Sequence, residues 1–177
     1  AFTLLPIVDM INHSAAPLAA CERDAQGVTV RARQSIPRGS EITIDYGPRS
    51  NAHLFPMYGF CHEDSPLEEA PIFTPAGCFH VSKVYSSDAT RKLFTALRAA
   101  SPDAPHPRRG QDGELMPSDR LNETSALALL RDAARWRLDN FETTLQQDDA
   151  LIHAGGLTRL ETNIILTRRS EKRVLEH

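Results

Sequence analysis

Two short segments hold the side chains best suited to chemistry. The apolar run Leu5-Pro6-Ile7-Val8-Asp9-Met10-Ile11 ends in Asn12-His13-Ser14, and Glu41-Ile42-Thr43-Ile44 ends in Asp45-Tyr46-Gly47. Polar groups set directly after an apolar run mark where a buried strand gives way to a functional loop. The amide of Asn12 can accept from an ammonium and donate to a carboxylate. The phenol of Tyr46, at a strand end beside a glycine, can orient an amine and receive polarised C–H groups. Taken alone, Asp45-Tyr46-Gly47 reads as a core tyrosine with one tethered hydroxyl. The upstream Asn12-His13-Ser14 turns the reading towards function.

The elements that must position these residues are short. Val28, Val30 and Ala32 alternate with polar neighbours at the period of a half-buried strand, and Gln26-Gly27 supplies the turn before it. Ile36-Pro37-Arg38-Gly39 reads as a second turn. Ile42 and Ile44 then form a brief strand ending at Asp45, broken by Gly47-Pro48. Residues 1–62 thus read as strand and loop, and residues 63–82, with Pro66, Pro71, Pro75 and Gly77, as a connector. Helical spacing follows from Lys83 to Ala100, with Val84, Leu93, Phe94 and Leu97 on one face. A Pro- and Gly-rich loop spans 101–117, and Ser118 or Asp119 can cap the next helix. Its stripe is Leu127, Leu130, Ala134, Leu138, Phe141 and Leu145. Gly155-Gly156 separates it from a last helix near Thr162–Leu175. The fold class expected is therefore α+β, β-rich first and all-α afterwards.

Composition narrows the function classes. The 177 residues carry a formal net charge of −3 with both signs scattered, which gives no support to a nucleic-acid binder. No apolar run approaches the roughly 20 residues of a membrane span, and no signal-peptide pattern is visible. The chain opens inside an apolar stretch, Ala1-Phe2-Thr3-Leu4-Leu5, which reads as a truncation. Cys21, Cys61 and Cys78 are an odd number at wide spacing, which argues for a reducing compartment rather than a disulfide framework. Cys61-His62 with Cys78-Phe79-His80 offers the residue types zinc accepts, but not its usual spacing, so no metal is expected. Phosphate-loop, dinucleotide, HExxH and nucleophile-elbow motifs are absent from the sequence.

The segments at residues 4–14 and 41–60 resemble the C-terminal half of a SET domain, in the Rubisco large-subunit lysine methyltransferase-like branch. Arg120-Leu121-Asn122-Glu123, the long helix after it and Arg168-Arg169-Ser170-Glu171-Lys172-Arg173-Val174-Leu175 resemble that branch's helical substrate-binding domain. The resemblance implies residues 1–65 as the SET half and 66–177 as the helical domain. It implies S-adenosylmethionine as cofactor and methyl transfer to a lysine of a protein substrate. It makes Tyr46 the catalytic residue, places Asn12, His13 and Phe60 at the cofactor, and Tyr58 at the substrate channel. His13 is expected to contribute mainly backbone groups, not a general base. Arg49 and Asn51 are expected to tie down the loop after Tyr46.

The resemblance also implies an N-terminal SET half that nothing in these residues matches. The 177 residues alone are therefore expected to bind the cofactor poorly and to turn over little. One alternative keeps the fold and methylates a histidine, as in actin-directed relatives. There a tryptophan lies just before the Asn-His pair, where this chain has Ile7-Val8-Asp9, which favours lysine. Another alternative is a non-catalytic protein-binding module. A monomer in the cytoplasm, nucleus or plastid, with no nucleic-acid or membrane partner, completes the expectation.

Overall fold

The computed structural model describes residues 5–65, 67–83, 87–100 and 120–177. The expected strand at Ala1–Leu4, Val84, the loop at 101–117 and the caps Ser118 and Asp119 lie outside the described residues. The chain divides into two compact units, Ala1–Arg49 and Ser50–His177.

The first unit is built from four short strands. The apolar run before Asn12 is not the buried strand its composition suggested: Ile7 and Met10 are exposed, a single 3-10 turn covers Val8–Met10, and Asn12–His13 is itself β1. Strands β2 (Ala19–Arg23) and β3 (Val28–Ala32) form an antiparallel hairpin with Cys21 opposite Val30. Its turn is closed by Asp24, whose Oδ1 accepts from the N–H groups of Gln26 and Gly27, an Asx turn. Strand β4 (Thr43–Ile44) pairs in parallel with β1, Asn12 against Thr43 and His13 against Ile44. Ala19 and Ile44 are its buried apolar residues among those described.

The second unit is larger. Helix α1 (Asn51–Tyr58) opens it, where the sequence pattern suggested loop. Pro56 lies inside this helix and obscures its signature, and Gly59 closes it in the left-handed region at φ 75°. The connector expected over 63–82 is largely an antiparallel hairpin, β5 (Glu69–Thr74) with β6 (Gly77–Ser82). Ala70 and Ile72 are buried on one face while Phe73 is half exposed, a true period of two that Pro71 disguises. Thr74 forms the turn by accepting from Ala76 N–H and donating to the Gly77 carbonyl.

Helix α2 (Ser87–Ala100) starts later than the sequence pattern suggested, and α3 covers Arg120–Asp139. Leu93 and Leu97 of α2 pack with Ala126 of α3 against Phe79 and Val81 of β6. The stripe does not run on to Leu145 in one helix. Asn140 turns its side-chain amide back to the Trp136 carbonyl, and Thr144 then begins α4 (Leu145–Ala154) with a capping box to Gln147. Leu127, placed on the core stripe by spacing, is exposed, and Ala126 beside it is buried. Helix α5 (Arg159–Leu175) opens with a second capping box, Thr158 with Glu161.

Buried charge fastens α4 to α5. Lys172 and Asp148 are 1% and 0% exposed, and the Lys172 ammonium donates to Asp148 Oδ2 at 2.6 Å. It also donates to Thr143 at 2.9 Å and lies 4.8 Å from the ring centre of Phe141. Arg168 takes the other oxygen of Asp148. Burial pushes the Asp148 carboxyl up, but the hydrogen bonds from Lys172, Arg168 and Thr143 and the charge of Lys172 outweigh it. They hold it below its ordinary value.

Candidate active site

Parallel pairing of β1 with β4 brings together residues far apart in sequence. Each strand is two residues long, so side-chain bonds do much of the fixing. Tyr46 is gripped at both ends by the segment around β1. Its backbone N–H donates to His13 Nδ1 at 3.1 Å, and its phenol donates to the Ile11 carbonyl at 2.7 Å. The His13 and Tyr46 rings stand 5.2 Å apart, tilted by 41°. Asp45 accepts from Gly47 N–H at 2.8 Å, which makes the tight turn after Tyr46, and Gly47 takes φ 88°.

This geometry has chemical consequences. The His13 side chain is 6% exposed, and Nδ1 serves as an acceptor, so in this arrangement that nitrogen carries no proton. The Asp45 carboxylate, 3.8 Å away, is therefore a neighbour and not an ion-pair partner. The phenol's proton is directed to a carbonyl, which turns the oxygen's lone pairs to other donors. Such an oxygen can accept from an amine or from polarised methyl hydrogens. Asn12 is exposed, and its amide donates to Glu41 Oε1 at 2.6 Å.

Tyr58 and Phe60 belong to the second unit. Their rings lie 6.2 Å apart, and Phe60 meets His62 edge-on at 5.7 Å. The loop that carries Phe60 is clamped. Buried Asn51 donates to the His62 carbonyl and to Ser170, and accepts from His62 N–H. Asn163 of α5 donates to the Gly59 carbonyl. The Cys61 thiol meets Thr167 and is pushed up in pKa by burial, with the Thr167 bond acting the other way.

Asn12, His13 and Tyr46 are thus assembled in one unit, and Tyr58 and Phe60 in the other. Spacing did not reveal Glu41, Asn163 or the Ile11 carbonyl as supports. Asn51 ties down the loop at Gly59–His62. Among the described residues no group of three or more His, Cys, Asp or Glu is arranged to hold a metal, and no helix is long and apolar enough to cross a membrane.

Comparison with known proteins gives two family matches. The SET domain model matches residues 3–47, and the Rubisco LSMT substrate-binding model matches residues 75–175. The chain is 36% identical over 64 residues to ribosomal lysine N-methyltransferase set11 of Schizosaccharomyces pombe, covering 36% of this chain and 17% of that protein. It is 40% identical over 57 residues to human N-lysine methyltransferase SETD6, covering 32% of this chain and 12% of that protein. Rubisco LSMT bound to AdoMet superposes with a TM-score of 0.70 at 21% identity, over 98% of this chain and 48% of that one. The structural likeness establishes the α+β fold, and the chain spans less than half the length of each of these relatives. With its model matched over more than half of the residues, behind a SET-domain segment, the chain belongs to the Rubisco LSMT substrate-binding family.

Proposed function

We propose that this chain works within an S-adenosylmethionine-dependent protein-lysine N-methyltransferase, with Tyr46 as the catalytic residue. The observation that carries the reading is the double grip on Tyr46 by His13 Nδ1 and the Ile11 carbonyl. A phenol held at both ends is suited to orienting a reacting amine. The names of the relatives support it, since set11 and SETD6 are both lysine methyltransferases. So do solved relatives bound to AdoMet or to sinefungin and monomethyllysine.

The residues present fit the cofactor by their chemistry. Asn12 offers an amide carbonyl to an ammonium, the strand end at His13 offers backbone groups to a heterocycle edge, and Phe60 offers an apolar ring face. When bound, the cofactor supplies an electrophilic methyl group on a sulfonium. Tyr46 accepts from the target amine and orients its lone pair along the line of transfer. Holding reacting groups in line removes much of the entropic barrier. A lysine amine must arrive neutral, against an ordinary pKa of about 10.4, so the site must favour loss of its proton. The resemblance assigns Tyr58 to the amine's path.

On this reading the functional boundary is the one at residue 65: residues 1–65 serve catalysis and 66–177 hold the protein substrate. Phe60 and Tyr58 then count with the SET segment although they pack in the second unit. Lysine is preferred to histidine as target because Ile7-Val8-Asp9 lacks an aromatic. An intracellular monomer with no nucleic-acid or membrane partner goes with the reading and rests on the sequence.

The test is Tyr46→Phe in the full-length protein, assayed with S-adenosylmethionine and protein substrates. The expected outcome is a fall in kcat of about 100-fold, the usual effect of misplacing a reacting group. A rate within about twofold of wild type would remove Tyr46 from the catalytic role.

A further inference from the structure

The contact between Asn12 and Glu41 has no part in the grip on Tyr46. Asn12 stands opposite Thr43 in the parallel pair, and Glu41 lies two residues before Thr43. Glu41 stands just before β4, and its side chain reaches Asn12 on β1. The Asn12 Nδ2 group donates to Glu41 Oε1 at 2.6 Å. A carboxylate only accepts, which decides the orientation of the amide. The Asn12 nitrogen must face Glu41, and the Asn12 oxygen must face away from it. Among the described residues that oxygen takes no hydrogen bond.

We propose that Glu41 is a positioning residue: it locks the Asn12 amide so that its carbonyl oxygen is presented to the α-ammonium at the methionine end of the cofactor. The inference rests on the cofactor reading above and deepens it. Without Glu41 the amide is free to rotate and to offer its donor face, which an ammonium rejects. The role of Glu41 is therefore selectivity for ligands that carry an amino-acid end.

The test is calorimetric titration of the full-length protein with two ligands. S-adenosylhomocysteine has the α-ammonium, and 5′-deoxy-5′-methylthioadenosine lacks the amino-acid end. In Glu41→Ala the Kd for S-adenosylhomocysteine should rise about tenfold, the size of one lost charge-assisted bond, with methylthioadenosine changed less than about twofold. Glu41→Gln, which can donate as well as accept, no longer dictates the orientation of the amide and should weaken S-adenosylhomocysteine by less than Glu41→Ala, with methylthioadenosine again within about twofold. Asn12→Ala with Glu41→Ala should bind S-adenosylhomocysteine no worse than Asn12→Ala alone, because Glu41 acts through Asn12. Equal weakening of both ligands in Glu41→Ala, no weakening of either, or additive losses in the double variant would each overturn the proposal. Wild-type protein that binds neither ligand would overturn the cofactor reading itself, and the positioning role with it.

Discussion

The two units hold their functional geometry by different means. The first buries Ala19 and Ile44 among its described apolar residues, and its strands β1 and β4 are two residues long. Packing supplies little, so Tyr46 is fixed by directional bonds to His13 and Ile11. The second buries Leu54, Ile72, Leu93, Leu97, Ile165 and Leu166, and inside it sits the closed set of Lys172, Asp148, Arg168 and Thr143. There apolar packing excludes water and raises the stakes of each charge. Loss of a bond in the first unit should therefore disturb orientation more than stability. Loss of a charge in the second should disturb stability above all.

The largest expected effect is on Asp148. Asp148→Ala leaves Lys172 charged and buried without its carboxylate, at a cost of about 3–5 kcal/mol. Urea unfolding of the 177-residue chain measures it. A loss under about 1 kcal/mol would mean that the pair is solvated in solution and that the contrast between the units is wrong.

Acid should act through the same carboxyl. Its folded pKa lies below the ordinary 3.8, so its contribution is complete above that value and is lost as pH falls through the depressed one. The second unit should thus hold its stability at mildly acidic pH and lose this contribution only below about pH 4. Asp148→Asn should show a flatter acid limb than wild type in thermal melts between pH 5 and pH 2, taken as an approximate range. Identical limbs would assign the acid sensitivity to other groups.

The smallest effect on stability belongs to the first unit. His13→Phe keeps a ring but removes the acceptor for the Tyr46 N–H, and should cost about 1 kcal/mol. In the full-length protein its kcat should fall further than that stability loss suggests, because Tyr46 is displaced at the amine. A stability loss as large as that of Asp148→Ala, with kcat unchanged, would reverse the comparison.

Much of the architecture was legible because it is written in local periods. The strand at Val28–Ala32 and the last helix follow alternation or three-to-four spacing, whereas β4 is shorter than the alternation of Ile42 and Ile44 suggested and leaves Ile42 exposed. Where a single residue hid the period, the reading failed. Pro71 masked the alternation of Ala70 and Ile72 in β5, Pro56 masked α1, and the unbroken stripe through Phe141 concealed the stop made by Asn140 and Thr144. The site was legible as residue types, but the placing of Asn12 and His13 was not: they make up β1 itself, behind an apolar run whose Ile7 and Met10 are exposed, whereas Tyr46 does lie just past β4.

By itself the sequence determined the α+β class, the place of Tyr46 just past a short strand, and the resemblance to SET methyltransferases. Those follow from side-chain order along the chain, which local geometry turns directly into faces and ends. Tertiary structure alone decided that Tyr46 N–H meets His13, that Glu41 orients Asn12, and that Asn51 and Asn163 clamp the loop of Phe60. It also decided that Lys172, in the charge-rich run Arg168-Arg169-Ser170-Glu171-Lys172-Arg173, is buried. A hydrogen bond between distant residues depends on which strands pair and in what register. A buried lysine depends on a carboxylate arriving from another helix, and neither leaves a mark on its own neighbours in the chain.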